Sequence, residues 1–305
     1  MDNSEKIISE LKRGKLLSNL IPNIIERKDF LSQFKYPQLG NTSVGFELEL
    51  TSLISTNQIK SLFNIGSVKV RITGDSSLSA FDYSIEIESE KAKYYPRANC
   101  IEIQSPVFTD NKELIRYVNT LSTIGNIPDM YENKTFQINK TGGLHVHTKN
   151  SDLKSIEDFY NYLKNFLVEL ELIVPDHRIG NRWCQRLHSF DEFKYEKYRV
   201  VRYHDNYETV EYRLFPSTIN SILILRYSLL CVEIMNYYIE NQNKLQNKKL
   251  SLFDITDNPI ILSFLNSRRV YLYSTQNKTD KNKVVYTKTG PRIINNRRQW
   301  KKKKK

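Results

Sequence analysis

Four short segments of this chain place charged or imidazole side chains at every second position. They are Gly45-Phe46-Glu47-Leu48-Glu49-Leu50, Ile101-Glu102-Ile103-Gln104, Leu144-His145-Val146-His147 and Val210-Glu211-Tyr212-Arg213-Leu214. An extended backbone sends alternate side chains to opposite faces. Phe46, Leu48 and Leu50 then share one face, and Glu47 and Glu49 share the other. A two-residue period cannot be read as a helix stripe. Four such strands side by side would give a sheet with an apolar back. Its front would carry carboxylates, imidazoles and a guanidinium, the outline of a site for metal and phosphate.

The chain has 305 residues, enough to bury a full core as one large domain or two small ones. No apolar run reads as long enough to span a bilayer, and Met1-Asp2-Asn3-Ser4-Glu5-Lys6 lacks the order of a secretory signal. Cys100, Cys184 and Cys231 form no CxxC pair and suit free thiols in a reducing compartment. The expectation is a cytoplasmic protein without membrane insertion. Its lysine- and asparagine-rich composition fits an AT-rich genome such as that of a phage or mobile element. The net charge of +12 is concentrated at one end: fourteen Lys/Arg face one acid between Arg268 and Lys305, which leaves residues 1–267 near −1. The final run Lys301 to Lys305 reads as a solvated, disordered tail. It could recruit an acidic polymer or nucleic acid.

Three regions are expected. Residues 1–40 form an N-terminal helical segment, with Pro22 opening a second short helix. Residues 41–252 form the main body, and residues 253–305 an extension ending in the basic tail. Within the body, strands are expected over Val68–Ile72, Ser84–Glu88 and Phe136–Ile138, beside the four above. Helices are expected over 111–124, over Leu153 to Leu172 with Ser151-Asp152 as cap, and over Ile219 to Ile239 with Thr218 or Ser217 as cap. The fold class is α+β.

Each chemical piece is weak alone. Exposed strand faces often carry two glutamates, and an internal Glu-Arg pair is often structural. The glycines of Gly142-Gly143-Leu144-His145-Val146-His147 say more, because they allow a tight turn that launches two imidazoles onto one face. Together the strands supply oxygen and nitrogen ligands suited to divalent cations, and an arginine able to grip phosphate. The chain has no GxxxxGK[ST] or GxGxxG loop and no GxSxG elbow. Magnesium held by carboxylates and bridged to phosphates remains a workable route to a nucleotide.

The ordered series GFELEL, Gly74-Asp75-Ser76-Ser77-Leu78, Ile101-Glu102-Ile103-Gln104-Ser105-Pro106, TGGLHVH and VEYRLFPST resembles the amidoligase family. Arg178-Ile179-Gly180-Asn181-Arg182-Trp183-Cys184 and Lys197-Tyr198-Arg199 add to the likeness, which spans about residues 44–218. That family belongs to the carboxylate–amine ligases with the glutamine synthetase fold. The resemblance implies a curved, mainly antiparallel sheet with flanking helices. It also implies an ATP- and Mg2+-dependent ligase using two ions, with Mn2+ as a substitute, that forms an amide through an acyl phosphate. Glu47, His145 and Glu211 would hold the nucleotide-side ion, and Glu49 and Glu102 the ion near the substrate carboxylate. Arg213 would stabilise the transferring phosphoryl group, supported by Arg199 and Arg202. His147 would meet phosphate or brace a ligand, and Asp75 would shape the turn or meet the amine. An amino acid or peptide is the expected substrate type.

Two departures stand out. Glu86 and Glu88 offer a second ExE strand that competes with Glu102, although Ser105-Pro106 favours Glu102. The substrate-side ion also has no evident third glutamate. His177, His188 and His204 are scattered and read as structural, and tyrosines in half-buried strands account for most of Tyr195 to Tyr212. Two other readings compete: a metal-dependent hydrolase or phosphoesterase on the same Glu/His face, and a non-catalytic nucleic-acid binder with a basic tail.

Overall fold

The computed structural model describes residues 36–52, 54–65, 68–75, 99–127, 135–138, 141–245, 250–276, 282–287 and 290–295. The expected helices of residues 1–35, the Glu86/Glu88 strand and the final lysine run lie outside these residues. The elements are β1 (Thr42–Ser52), α1 (Thr56–Ile65), β2 (Arg71–Gly74), β3 (Asn99–Gln104), α2 (Asn111–Gly125), β4 (Phe136–Gln137) and β5 (Gly143–Asn150). They continue with α3 (Ile156–Leu163), α4 (Leu167–Leu172), α5 (Phe190–Tyr195), β6 (Val201–His204), β7 (Thr209–Pro216), α6 (Ser221–Asn241) and α7 (Pro259–Gln276). A separate hairpin, β8 (Asn282–Thr287) with β9 (Gly290–Asn295), follows.

The chain is α+β, with an open antiparallel sheet ordered β2-β3-β1-β5-β7-β6. β4 pairs with Thr51 and Ser52 of β1, past the stretch of β1 that β5 covers. The four alternating segments are thus β3, β1, β5 and β7, adjacent and in that order. Their apolar residues supply the back of the sheet. Phe46 meets Phe108 and Tyr117 with ring centroids 6.4 and 5.4 Å apart. Helix α6 packs against β1 and β5, and its Tyr227 stacks on Phe215 at 4.3 Å. Burial of such aromatic rings is the main source of stability on this side.

Packing continues past Leu252. Ile255, Ile261, Phe264 and Leu265 belong to the same core as Tyr36 and Leu39, and Arg268 Nε donates to Ile173 O at 3.1 Å. Helix boundaries also depart from expectation. The single helix expected from Leu153 to Leu172 is two, α3 and α4, and Ser155 is the cap, accepting from Asp158 N at 3.1 Å. Asn165 Nδ2 donates to Tyr162 O at 2.9 Å, a local bond that competes with helix continuation. At α6 the cap is Asn220, which accepts from Ile222 N and Leu223 N. Ser217 is engaged elsewhere, donating to Glu49 O at 2.5 Å. The helical stretch Ser221–Lys244 is long and apolar enough to cross a bilayer by length and composition, which corrects the expectation that none is; 61% of its apolar stretch is buried within this fold.

Candidate metal centre

Strand register builds the front face row by row. Glu47 sits opposite Gln104 on one side and His145 on the other. Glu49 pairs with Glu102, which pairs in turn with Thr73. One row over, Gly45, His147, Glu211 and Arg202 lie abreast across β1, β5, β7 and β6. Two sets of ligand atoms result, each lying within 4.8 Å of one another: Glu47, His147 and Glu211, and Glu49, Asp75 and Glu102. Because Glu47 and Glu49 are two residues apart on one strand, the sets are neighbours at about 7 Å.

Both histidines reach the first set: His147 groups with Glu47 and Glu211, and His145, the expected ligand, lies as near to the same two carboxylates. His147 Nε2 is buried without a hydrogen-bond partner and lies 3.7 Å from Glu47 Oε2. His145 stands between the sets: Nδ1 is 3.4 Å from Glu47 and 3.6 Å from Glu211, and Nε2 is 3.5 Å from Glu49. Asp75 gives the second set the third carboxylate that the glutamates alone did not provide, while its own N–H holds Cys100 O at 3.0 Å.

A β-bulge shapes β7. Leu144 pairs with Phe215 but Val146 pairs with Tyr212, so Arg213 and Leu214 together face His145. The extra residue lets Phe215 return to the apolar back while Glu211 and Arg213 serve the front. The bulge's backbone groups are satisfied: Arg213 N donates to Val200 O at 2.8 Å, and Arg213 O accepts from Arg178 Nη2 at 3.0 Å. Glu211 is buried between two guanidiniums, bonded by Arg202 Nε at 2.5 Å and by Arg213 Nη1.

Arg178 is the residue that sequence reasoning left without a role. It is 3% exposed, and its bonds go to the carbonyls of Thr141, Gly142 and Arg213 at 3.3, 3.1 and 3.0 Å. One side chain therefore ties the glycine turn before β5 to the bulge in β7. That turn presents Gly143 N–H to Glu49 Oε2 at 2.7 Å, orienting a ligand of the second set. Arg178 comes from a short helical turn outside the sheet (Asp176–Arg178), so no strand periodicity could reveal it.

Arg199 is not brought to this cluster. Its guanidinium pairs with Glu192 and Glu196 at 3.1 and 2.6 Å and donates to Arg186 O. Of the scattered histidines, His188 bonds Glu192 through its backbone N–H, and the His204 ring lies 4.5 Å from that of Tyr207.

The charges are strongly coupled. Burial opposes ionisation of Glu47, but the adjacent imidazoles of His145 and His147 outweigh it and hold the carboxyl far below its usual range. Burial likewise opposes Glu211, yet Arg213, then His145, His147 and Arg202, bring it down to about 2. Glu102 is raised, by burial first and then by the charge of Glu47. His147 is raised: burial disfavours its charged form, but the nearby carboxylates of Glu47 and Glu211 prevail. Crowded carboxylates with an orphaned imidazole nitrogen are a fitting donor set for divalent cations. No protein-family model matches the chain, and no curated protein matches it.

Proposed function

We propose that this chain is an ATP- and magnesium-dependent carboxylate–amine ligase of the amidoligase type, built on a glutamine synthetase-like sheet. The observation that carries the reading is the pair of adjacent ligand sets, with Arg202 and Arg213 both bonded to Glu211 of the first. Two anions must meet when a carboxylate attacks ATP, and such a face is charged to let them. Divalent cations, when bound, supply the neutralising charge for the phosphoryl groups.

Glu47, His147 and Glu211 would hold the nucleotide-side ion, with His145 bracing both sets. Glu49, Asp75 and Glu102 would hold the ion near the substrate carboxylate. Arg213, anchored on Glu211 and with its Nε unpaired among the described residues, would stabilise the transferring phosphoryl group. A substrate carboxylate oxygen attacks the γ-phosphorus, the bond to the bridging oxygen breaks, and ADP leaves. An amine nitrogen then attacks the acyl carbon, loses a proton and expels phosphate to leave the amide.

Titration calorimetry with a non-hydrolysable ATP analogue tests this. The analogue should bind only when Mg2+ is present, and Glu47→Gln should abolish that binding while the variant stays folded. Cation binding with no nucleotide effect would overturn the ligase and support a metal-dependent hydrolase on the same face.

A further inference from the structure

The loop leading from Arg178 to α5 offers an aromatic pair beside the centre. Gly180, at φ +77°, donates to Cys184 O at 2.9 Å, and Cys184 N donates to Asn181 O at 3.3 Å. These bonds close a tight turn whose tip is Arg182-Trp183, and Asn181 Oδ1 fixes Trp183 N at 2.8 Å. Buried Cys184 anchors the base of the turn, while Arg182 is exposed and Trp183 half-buried. Gln185 N donates to Tyr198 O at 2.7 Å and Val200 N to Gln185 O at 2.8 Å, locking the loop beside Tyr198.

The rings then form a ladder. Trp183 meets Tyr198 edge-on at 5.0 Å, and the Arg213 guanidinium carbon lies 5.8 Å from the Tyr198 ring centre. Arg182 lies 4.8 Å from the Trp183 ring and Lys197 Nζ 5.5 Å from the Tyr198 ring. Neither cation has an ion-pair partner among the described residues. Packing alone would account for a buried Trp-Tyr contact. It does not account for a tip that holds tryptophan partly in water, flanked by unpaired cations, with its inner end on the arginine of the first ligand set.

We infer that this pair is a nucleobase subsite: the purine of ATP stacks on Trp183, which Tyr198 braces edge-on, with its phosphates directed toward Arg213 and the first ligand set. The inference rests on the ligase reading and deepens it. Aromatic and guanidinium planes accept the π-face of any base. The subsite therefore adds affinity for a ring, and Arg182 and Lys197 offset the charge of the phosphates.

Trp183 and Trp300 are the two tryptophans of the chain, so full-length Trp300→Phe leaves Trp183 as the sole tryptophan, read by excitation on the red edge where tyrosine does not absorb. Magnesium ATP should change its emission, whereas magnesium tripolyphosphate should bind by calorimetry and leave it unchanged. Trp183→Leu should weaken ATP binding about tenfold, the scale of one lost base–aromatic stack, with tripolyphosphate affinity unaltered. ATP binding without a Trp183 response, or equal weakening of both ligands by Trp183→Leu, would overturn the subsite and leave the ligase standing. Failure of both ligands to bind the Trp300→Phe protein would overturn the ligase reading, and the subsite with it.

Discussion

Two buried side chains govern this site, and each makes a separate prediction. Among the described residues Arg178 bonds to three backbone carbonyls, and an apolar replacement would take one donor from each in a dry environment. Arg178→Met should cost about 3 kcal/mol in urea unfolding, several times the usual surface change. Arg178→Lys, keeping charge but losing the fork, should recover part of that stability and little of the cation affinity at Glu49. Full recovery of both by lysine would show that charge, not bond geometry, matters. Glu211 tests the electrostatics. Its carboxyl titrates at about 2 instead of 4.5, so the stability it contributes is complete above 4.5 and is lost as the pH falls toward 2. In chelator, the parent should lose about 3 kcal/mol more than Glu211→Gln over that interval. Parallel stability curves for the two proteins would refute the account.

At the scale of elements, the glycine turn before β5 is the most exacting piece. A Cβ on Gly142 would lie 2.6 Å from the Glu49 backbone oxygen, a contact that no side-chain rotation relieves. On Gly143 it would meet Arg178 Nη2 at 2.5 Å, His145 Nε2 at 3.0 Å and Glu49 Oε2 at 3.2 Å, all ends of side chains that can shift. Gly142→Ala should therefore destabilise by about 3 kcal/mol, and Gly143→Ala by about 1 kcal/mol. Gly143→Ala should nevertheless weaken Mn2+ binding at the second set more than at the first. Comparable stability losses in the two variants would count against this reading of the turn. The strands carrying the site were legible because period-two alternation survives any tertiary context, and Glu47, Glu49, Glu102 and Glu211 follow it. The bulge was not legible, because Glu211-Tyr212-Arg213-Leu214 alternates as a regular strand does and only pairing with β5 exposes the added residue. The same limit hid how the two imidazoles share the carboxylates: both point forward, and which ring meets a given carboxylate depends on register. Cap choice failed for another reason. Ser217 is a good cap type, but Glu49 O claims its hydroxyl and leaves Asn220 to start α6.

For the whole molecule, the front of the sheet offers two linked but separable seats, each a set of candidate ligands. The first draws on β1, β5 and β7, and the second on β1, β3 and the residue after β2, so only β1 contributes ligands to both. Removing a ligand unique to one seat should then spare the other. Mn2+ can stand in for Mg2+ as a spectroscopic probe, and the parent should bind two ions per chain. Glu211→Gln should bind one at the second seat, and Glu102→Gln one at the first. Each filled seat stabilises the native state by mass action, about 2.7 kcal/mol when the free ion reaches one hundred times its Kd. The parent should accordingly gain more in Tm than either variant, and chelation should erase all three gains. His145 touches Glu47, Glu49 and Glu211 at once, so His145→Asn should weaken both ions together. Loss of one ion only in His145→Asn would place that ring in a single seat and make His147 the bracing group. Loss of both ions in Glu102→Gln would show that the face holds a single fused site, which no pair of independent three-residue sets can produce.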